Sequence, residues 1–378
     1  MKEGWTYKKL GEVCEILDSQ RKPITKSKRE SGLIPYYGAT GLLDYVKGYI
    51  FDEKLVLLGE DGAKWGAGEN SSFIIEGKTW VNNHAHALRP KRDVLIDEYL
   101  VYYLNFTNLL SYITGVTVPK LNQEKMRSIE ILIGPLNDQR QIVSRLDSAF
   151  AHINALKANA EKQLAEARAF FQKALEEAMR PKEGWEEKTL GELATDMYRG
   201  SDIKRDQVTK DGIPCVRYGE IYTTYNVAFE ECVSHTNEEM ISSPKYFEHG
   251  DLLFAITGES VEDIGKTIAY LGNDKCLLGG DIICMKHNQN AKYLSYALST
   301  PDAIRQKGIG KTKLKVVHTN APALKAISVP VPSLEEQQQI VSHLDLLSAD
   351  VRQLEEMQRK TLAECDALKQ AMLREVFE

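Results

Sequence analysis

The side chains best placed to do chemistry in this chain are cations grouped on short, glycine- and proline-punctuated stretches. Arg21, Lys22, Lys26, Lys28 and Arg29 crowd around Pro23, and Arg199, Lys204 and Arg205 surround Gly200 in the second half. Lys311, Lys313 and Lys315 alternate through the run 307–315, which Gly308 and Gly310 interrupt. Loop cations suit phosphate oxygens, whereas polar or planar groups beside them suit base edges. By that logic Tyr37 and Lys64, on the glycine-rich turns 37–41 and 59–66, join the candidates, with Lys120 following the stretch 117–119. Arg217 and Tyr218, after the Ile213-Pro214 step, and Lys266, after Gly265, complete the second half's set.

Other chemistries find less support. His84 and His86 would share one face of a strand, but no third ligand accompanies them, so packing or a base contact is favoured over a metal. Gly66-Ala67-Gly68 lacks dinucleotide-fingerprint spacing, and neither a phosphate loop nor an Asn/Asp-Pro-Pro-Tyr methylation site is present. Glu60 and Asp61 with Lys64 make only a weak nuclease cluster. The residues therefore point to recognition without catalysis, with no cofactor or metal held by this chain. The formal charge of −6 means that an anionic partner must be held by local patches. Six cysteines without a C-x-x-C pair fit reduced thiols in the cytoplasm, and the polar opening and short apolar runs predict neither a signal peptide nor a membrane span.

The elements that must position these groups come in two copies. From Leu136 to Met179 apolar and small residues recur at alternating four- and three-residue steps (Ile142, Leu146, Ala149, Ile153, Leu156, Ala160, Ala167, Phe170, Ala174), a heptad seam on one helix roughly 60 Å long between Pro135 and Pro181. The segment from Leu334 to the C-terminus repeats it: Gln337 to Asp345 matches Gln139 to Asp147 in register, and the seam continues through Leu347, Val351, Leu354, Cys365, Leu368 and Met372. Each helix follows a block of short strands, and each block opens with Gly-Trp-x4-Leu-Gly-Glu, at Gly4 and again at Gly184. Strands are predicted near 34–37, 45–51, 55–58, 73–75, 85–88 and 129–133, and in the second block near 213–218, 250–255, 266–271, 281–285 and 327–331; helices are predicted at 97–110, 121–126 and 291–298. The fold class is α+β: two mixed blocks, 1–135 and 183–332, alternate with two long helices, 136–182 and 333–378, which pair as an antiparallel coiled coil with a pseudo-twofold repeat.

In its paired openings, its strand-to-helix junctions 129–147 and 327–345, its glutamine-rich helix starts and its alternation of blocks and helices, the chain resembles the specificity subunits of type I restriction-modification enzymes. The resemblance implies two target-recognition domains on two helical spacers, each domain reading one half of a bipartite, asymmetric double-stranded DNA site. It further implies two modification subunits carrying adenine methylation, docked on the spacers, with restriction and translocase subunits added. S-adenosylmethionine then belongs to the modification subunits, and ATP and Mg to the restriction subunit. The alternative is a coiled-coil interaction scaffold that binds protein instead of DNA.

Overall fold

The computed structural model describes residues 4–311 and 316–378. The first block forms strands β1 (Thr6–Lys9), β2 (Cys14–Ile16), β3 (Ser31–Gly38), β4 (Gly41–Val46), β5 (Phe51–Asp52), β6 (Leu55–Gly59), β7 (Ser72–Ile75), β8 (Lys78–Val81), β9 (Ala85–Pro90) and β10 (Glu130–Ile133). Its helices are α1 (Leu10–Val13), α2 (Asp97–Phe106), α3 (Gln123–Arg127) and the long α4 (Leu136–Ala178). The second block supplies β11 (Glu186–Thr189), β12 (Ala194–Arg199), β13 (Val208–Thr209), β14 (Ile213–Val216), β15 (Ala228–Phe229), β16 (Ser234–Thr236), β17 (Tyr246–Phe247), β18 (Leu252–Ala255), β19 (Thr257–Gly258), β20 (Thr267–Tyr270), β21 (Cys276–Leu278), β22 (Ile282–His287), β23 (Val317–His318) and β24 (Ser328–Val331). Around them lie α5 (Leu190–Leu193), α6 (Tyr218–Thr223), α7 (Ala291–Ala297), α8 (Pro301–Lys307), α9 (Ala321–Lys325) and the closing α10 (Leu334–Phe377).

The duplication extends to strand pairing. In the first block the sheet orders are β2-β9-β6-β7, β4-β3-β8-β5 and β1-β10. The second block repeats all three as β12-β22-β18-β20, β16-β14-β21-β17 and β11-β24, adding β15 and β13 at sheet edges. Even the parallel pair recurs: Tyr36 lies beside Trp80 in one block and Cys215 beside Leu277 in the other. The expected strand at 45–51 divides, because β4 ends at Val46 and Gly48, at φ +84°, turns the chain before β5. The expected strand at 213–218 stops at Val216, since Tyr218 already starts α6.

The molecule divides into two units, Met1–Glu161 with Gln358–Glu378, and Lys162–Met357, so each long helix contributes to both. In the first unit, Leu146 of α4 and Leu373 and Phe377 of α10 are buried against Leu100, Tyr103 and Met126. The Phe377 ring sits 5.3–5.5 Å from Tyr99, Tyr103 and Phe106, and Trp5 lies so close over Gly134 that a Cβ there would come within 2.4 Å of the indole. Arg145 pairs with Glu375 at 2.7 Å and Lys157 with Asp366 at 2.7 Å, a descending register that makes the two helices antiparallel. In the second unit, Leu175 of α4, Met179 just beyond its end, and Val341 and Leu344 of α10 enter the core formed by Tyr293, Leu294, Phe254 and Val329. There Arg168 meets Glu355 at 2.6 Å.

The seam departs from its sequence reading at three positions. Leu156, Phe170 and Leu368 are exposed by 54%, 60% and 50%, whereas the buried row in α4 is Leu146, Ile153, Ala160 and Leu175. An unsupercoiled helix drifts about 20° per heptad against a strict 3.5 repeat, so a seam followed too far leaves the contact face. Phe171 packs near Tyr296 in place of Phe170. No helix among the described residues is long and apolar enough to cross a membrane.

Candidate nucleic-acid interface

In the first block the basic loop between β2 and β3 meets the turns that follow β6 and β8, and a buried charge network ties them together. His86 of β9 contacts the Asp18 carboxylate through Nδ1 at 2.6 Å and the Leu121 carbonyl through Nε2 at 2.7 Å. Arg21 donates to Glu60 at 2.5 Å and to the Ala85 carbonyl at 2.6 Å, while Lys120 reaches the other Glu60 oxygen at 2.8 Å. Burial works against charge on Asp18 and Glu60. Hydrogen bonds from His86 and the Ala87 amide to Asp18, and from Lys120 and Arg21 to Glu60, with the charges of His86 and Arg21, outweigh it and hold both carboxyls below their ordinary range. Asp18, Glu60 and His86 have the donor types of a metal site, and their ligand atoms lie within 4.8 Å of one another. Two cations already occupy that role.

This network separates the candidate cations. Arg21 and Lys120 are committed inside the block, and the Glu60 hydrogen bond raises the Lys120 pKa. Arg29 lies 4.4 Å over the Tyr36 ring and pairs with Asp44. Tyr37 packs against Phe73 at 5.9 Å. Lys22, Lys26 and Lys28 remain exposed, on a loop pinned where Trp80 Nε1 donates to the Lys22 carbonyl at 2.6 Å. Lys64 is exposed and only loosely paired with Glu69, at 3.9 Å. The two histidines part company: His86 is buried, whereas His84, half exposed just before β9, pairs with Asp61.

The second block places the same loops around a different set of side chains. The amide of Ser201 donates to Leu278 as that of Lys22 does to Val81, so the two basic loops are structurally equivalent. Gly200 is required there, because a Cβ would sit 2.1 Å from the Gly279 carbonyl oxygen. Arg199 pairs with Asp281 at 2.9 Å and donates to the Gly280 carbonyl, while Lys204 and Arg205 are exposed. Arg217 braces Glu220 at 3.2 Å, and Tyr218 is 41% exposed at the start of α6. Lys266 turns inward to the Tyr222 and Tyr225 carbonyls at 3.4 and 3.2 Å, and burial lowers its pKa. Lys307, the first lysine of the basic run, is buried too. Its Nζ donates to the Leu298 carbonyl at 2.8 Å, and desolvation brings its pKa down to about 7. Lys311 is half-buried beyond Gly308, whereas Lys313 and Lys315 lie outside the described residues.

Two clefts flank Tyr218. One, of about 470 Å³, is lined by Arg205, Arg217 and Asp281; the other, of about 410 Å³, by Tyr222, Thr257 and Glu259. Glu259 escaped the sequence reading, which sought cations, and no local motif marks it. Taken together, the duplicated αβ blocks, their exposed loop cations and the paired long helices define a two-block recognition protein.

The chain belongs to the type I restriction modification DNA specificity domain family, whose model matches residues 2–166 and 182–364. A Haemophilus influenzae protein described as a type I restriction enzyme specificity subunit is 29% identical over 348 residues, covering 90% of this chain and 86% of that one. The MjaVIII specificity subunit of Methanocaldococcus jannaschii is 22% identical across 98% of this chain and 91% of its own. Among solved structures, one from a study of complex assembly and conformational transition in the type I R-M system aligns with a TM-score of 0.72 at 19% identity, covering 100% of this chain and 98% of that one. The HsdS subunit of Thermoanaerobacter tengcongensis aligns at 0.54, with 18% identity and 100% and 97% coverage. The function of the chain is DNA sequence specificity, and catalysis lies in other subunits.

Proposed function

We propose that each duplicated block reads one half of a bipartite, asymmetric DNA site and that the outward faces of α4 and α10 dock two methyltransferase subunits. The observation that carries this reading is one strand topology, used twice, whose equivalent loops bear different side chains. One scaffold with two side-chain sets suits two unlike half-sites. Phe170 and Leu368 hold equivalent places in the helix repeat, 31 residues beyond Gln139 and Gln337, and both expose apolar rings or branches. A pair of like partners would cover such positions. On this reading S-adenosylmethionine binds in the methyltransferase subunits, ATP and Mg act in a restriction subunit, and the complex works in the cytoplasm, where six free thiols are at home.

Salt titration tests the reading. The full chain, assembled with its methyltransferase subunits, is titrated with a matched duplex before and after replacing Lys22, Lys26 and Lys28 by Ala. Loss of up to three phosphate contacts should weaken all sequences alike and lower the slope of log affinity against log salt by about one per lysine. An unchanged slope would show that this loop does not meet the phosphates and that the first block reads its half-site by another face.

A further inference from the structure

One carboxylate of the second block, that of Glu259, lines a cleft. It lies in the 410 Å³ cleft beside Tyr218 and Tyr222, and Tyr218 and Gly219 also wall the neighbouring cleft with Arg205 and Arg217. Its neighbours are already engaged: Asp263 accepts from Ser260 Oγ at 2.7 Å, and Thr257 Oγ1 shares a hydrogen bond with His318 at 3.1 Å. Glu259 is exposed and has neither an ion pair nor a side-chain hydrogen bond among the described residues. In the first block the corresponding turn carries Asp61, which bridges Lys120 as Thr257 bridges His318, and the Asp61 carboxylate is in contact with the His84 ring. The acid on the first block's turn has a partner, and Glu259, two residues beyond the equivalent position, has none among the described residues.

An open carboxylate on a surface that meets a polyanion is repelled by every phosphate it approaches. It becomes favourable only where a donor on a base edge meets it, and in the major groove those donors are the exocyclic amines of cytosine and adenine. The O6 of guanine and O4 of thymine are acceptors, so the same carboxylate rejects them. We infer that Glu259 is a specificity-determining residue that selects an amino-bearing base, cytosine or adenine, at one position of the half-site read by the second block. The inference rests on that block's being a DNA reader. Tyr218, which lines this cleft and the neighbouring one, offers an aromatic face beside the carboxylate.

The test selects binding sites from a randomised duplex pool with the full chain and its methyltransferase subunits, comparing wild type, Glu259→Gln and a double variant, Arg205→Ala with Lys311→Ala. The amide is isosteric but can donate as well as accept, so E259Q should relax preference at one base pair by roughly tenfold to a hundredfold, leaving the other positions unchanged. The cation variant should lower binding at all sequences and keep the preference. If the cation variant weakens binding while E259Q keeps the wild-type profile, or alters affinity uniformly, Glu259 does not read a base. If neither variant changes binding, the second block is not a reader and both ideas fall. Circular dichroism of each variant confirms that these surface changes leave the fold intact.

Discussion

Arg21 and Lys26 stand in one basic loop and use their charge in opposite ways. Arg21 is a largely covered strut between Asp18, Glu60 and the Ala85 carbonyl, whereas Lys26 faces solvent. Without Arg21, Glu60 keeps Lys120 and Asp18 keeps His86, so Arg21→Ala removes charge-assisted hydrogen bonds without orphaning a carboxylate and should destabilise the first block by about 1.5–3 kcal/mol. Lys26→Ala should stay within about 0.5 kcal/mol. Urea unfolding followed by tryptophan fluorescence separates the two. The sign with pH follows from the depressed carboxyls of Asp18 and Glu60. Their contribution is fully present above about pH 4, the unfolded value, and is lost as pH falls through their lowered folded values. In R21A that acid dependence should shrink, since one of the groups holding the carboxyls down is gone. Sequence placed Arg21 and Lys26 in one class because local context does not distinguish a strut from an exposed cation.

At the scale of elements, each long helix is locked to its block by a buried glutamine. The Gln139 side chain accepts from the Ile96 amide at 3.0 Å and donates to the Val94 and Gly134 carbonyls at 2.8 and 2.9 Å. Gln337 repeats the arrangement with the Asn290 amide at 2.9 Å and the Pro332 carbonyl at 2.9 Å. The matched glutamines were visible in sequence as part of a shared helix start suited to capping and docking; which amides and carbonyls of the preceding loop they clamp was not. Leucine at position 139 keeps the bulk and removes every hydrogen bond. Gln139→Leu should therefore cost about 1–3 kcal/mol, and amide exchange at Ile96 should accelerate. Protection unchanged at Ile96 would show that the clamp does not hold the loop. The helices themselves were legible because a repeat every three to four residues over forty positions leaves little else for the chain to form.

For the molecule as a whole, α4 and α10 pair antiparallel through charged contacts such as Lys157 with Asp366 in the first unit and Arg168 with Glu355 in the second. If helix length sets the gap between half-sites, one heptad added after Ala160, with a matching heptad in α10, lengthens the spacer by about 10 Å, or about three base pairs. Mapping methylated adenines should then reveal the same half-site bases at a wider gap; altered half-site bases would overturn the spacer reading. The sequence alone determined the duplication, the long helices and the family, because these are written in local periodicity and in covalent order. The tertiary structure decided which charges remain available. Glu60 meets Arg21 across 39 residues and Lys266 is taken up by carbonyls more than 40 positions away, so their commitment is set by chain crossing, not by neighbours in sequence. The same crossing gives Glu259, beside Tyr218, no ion pair among the described residues, for a physical reason no local pattern carries: whether a charge is spent depends on what the fold brings to it.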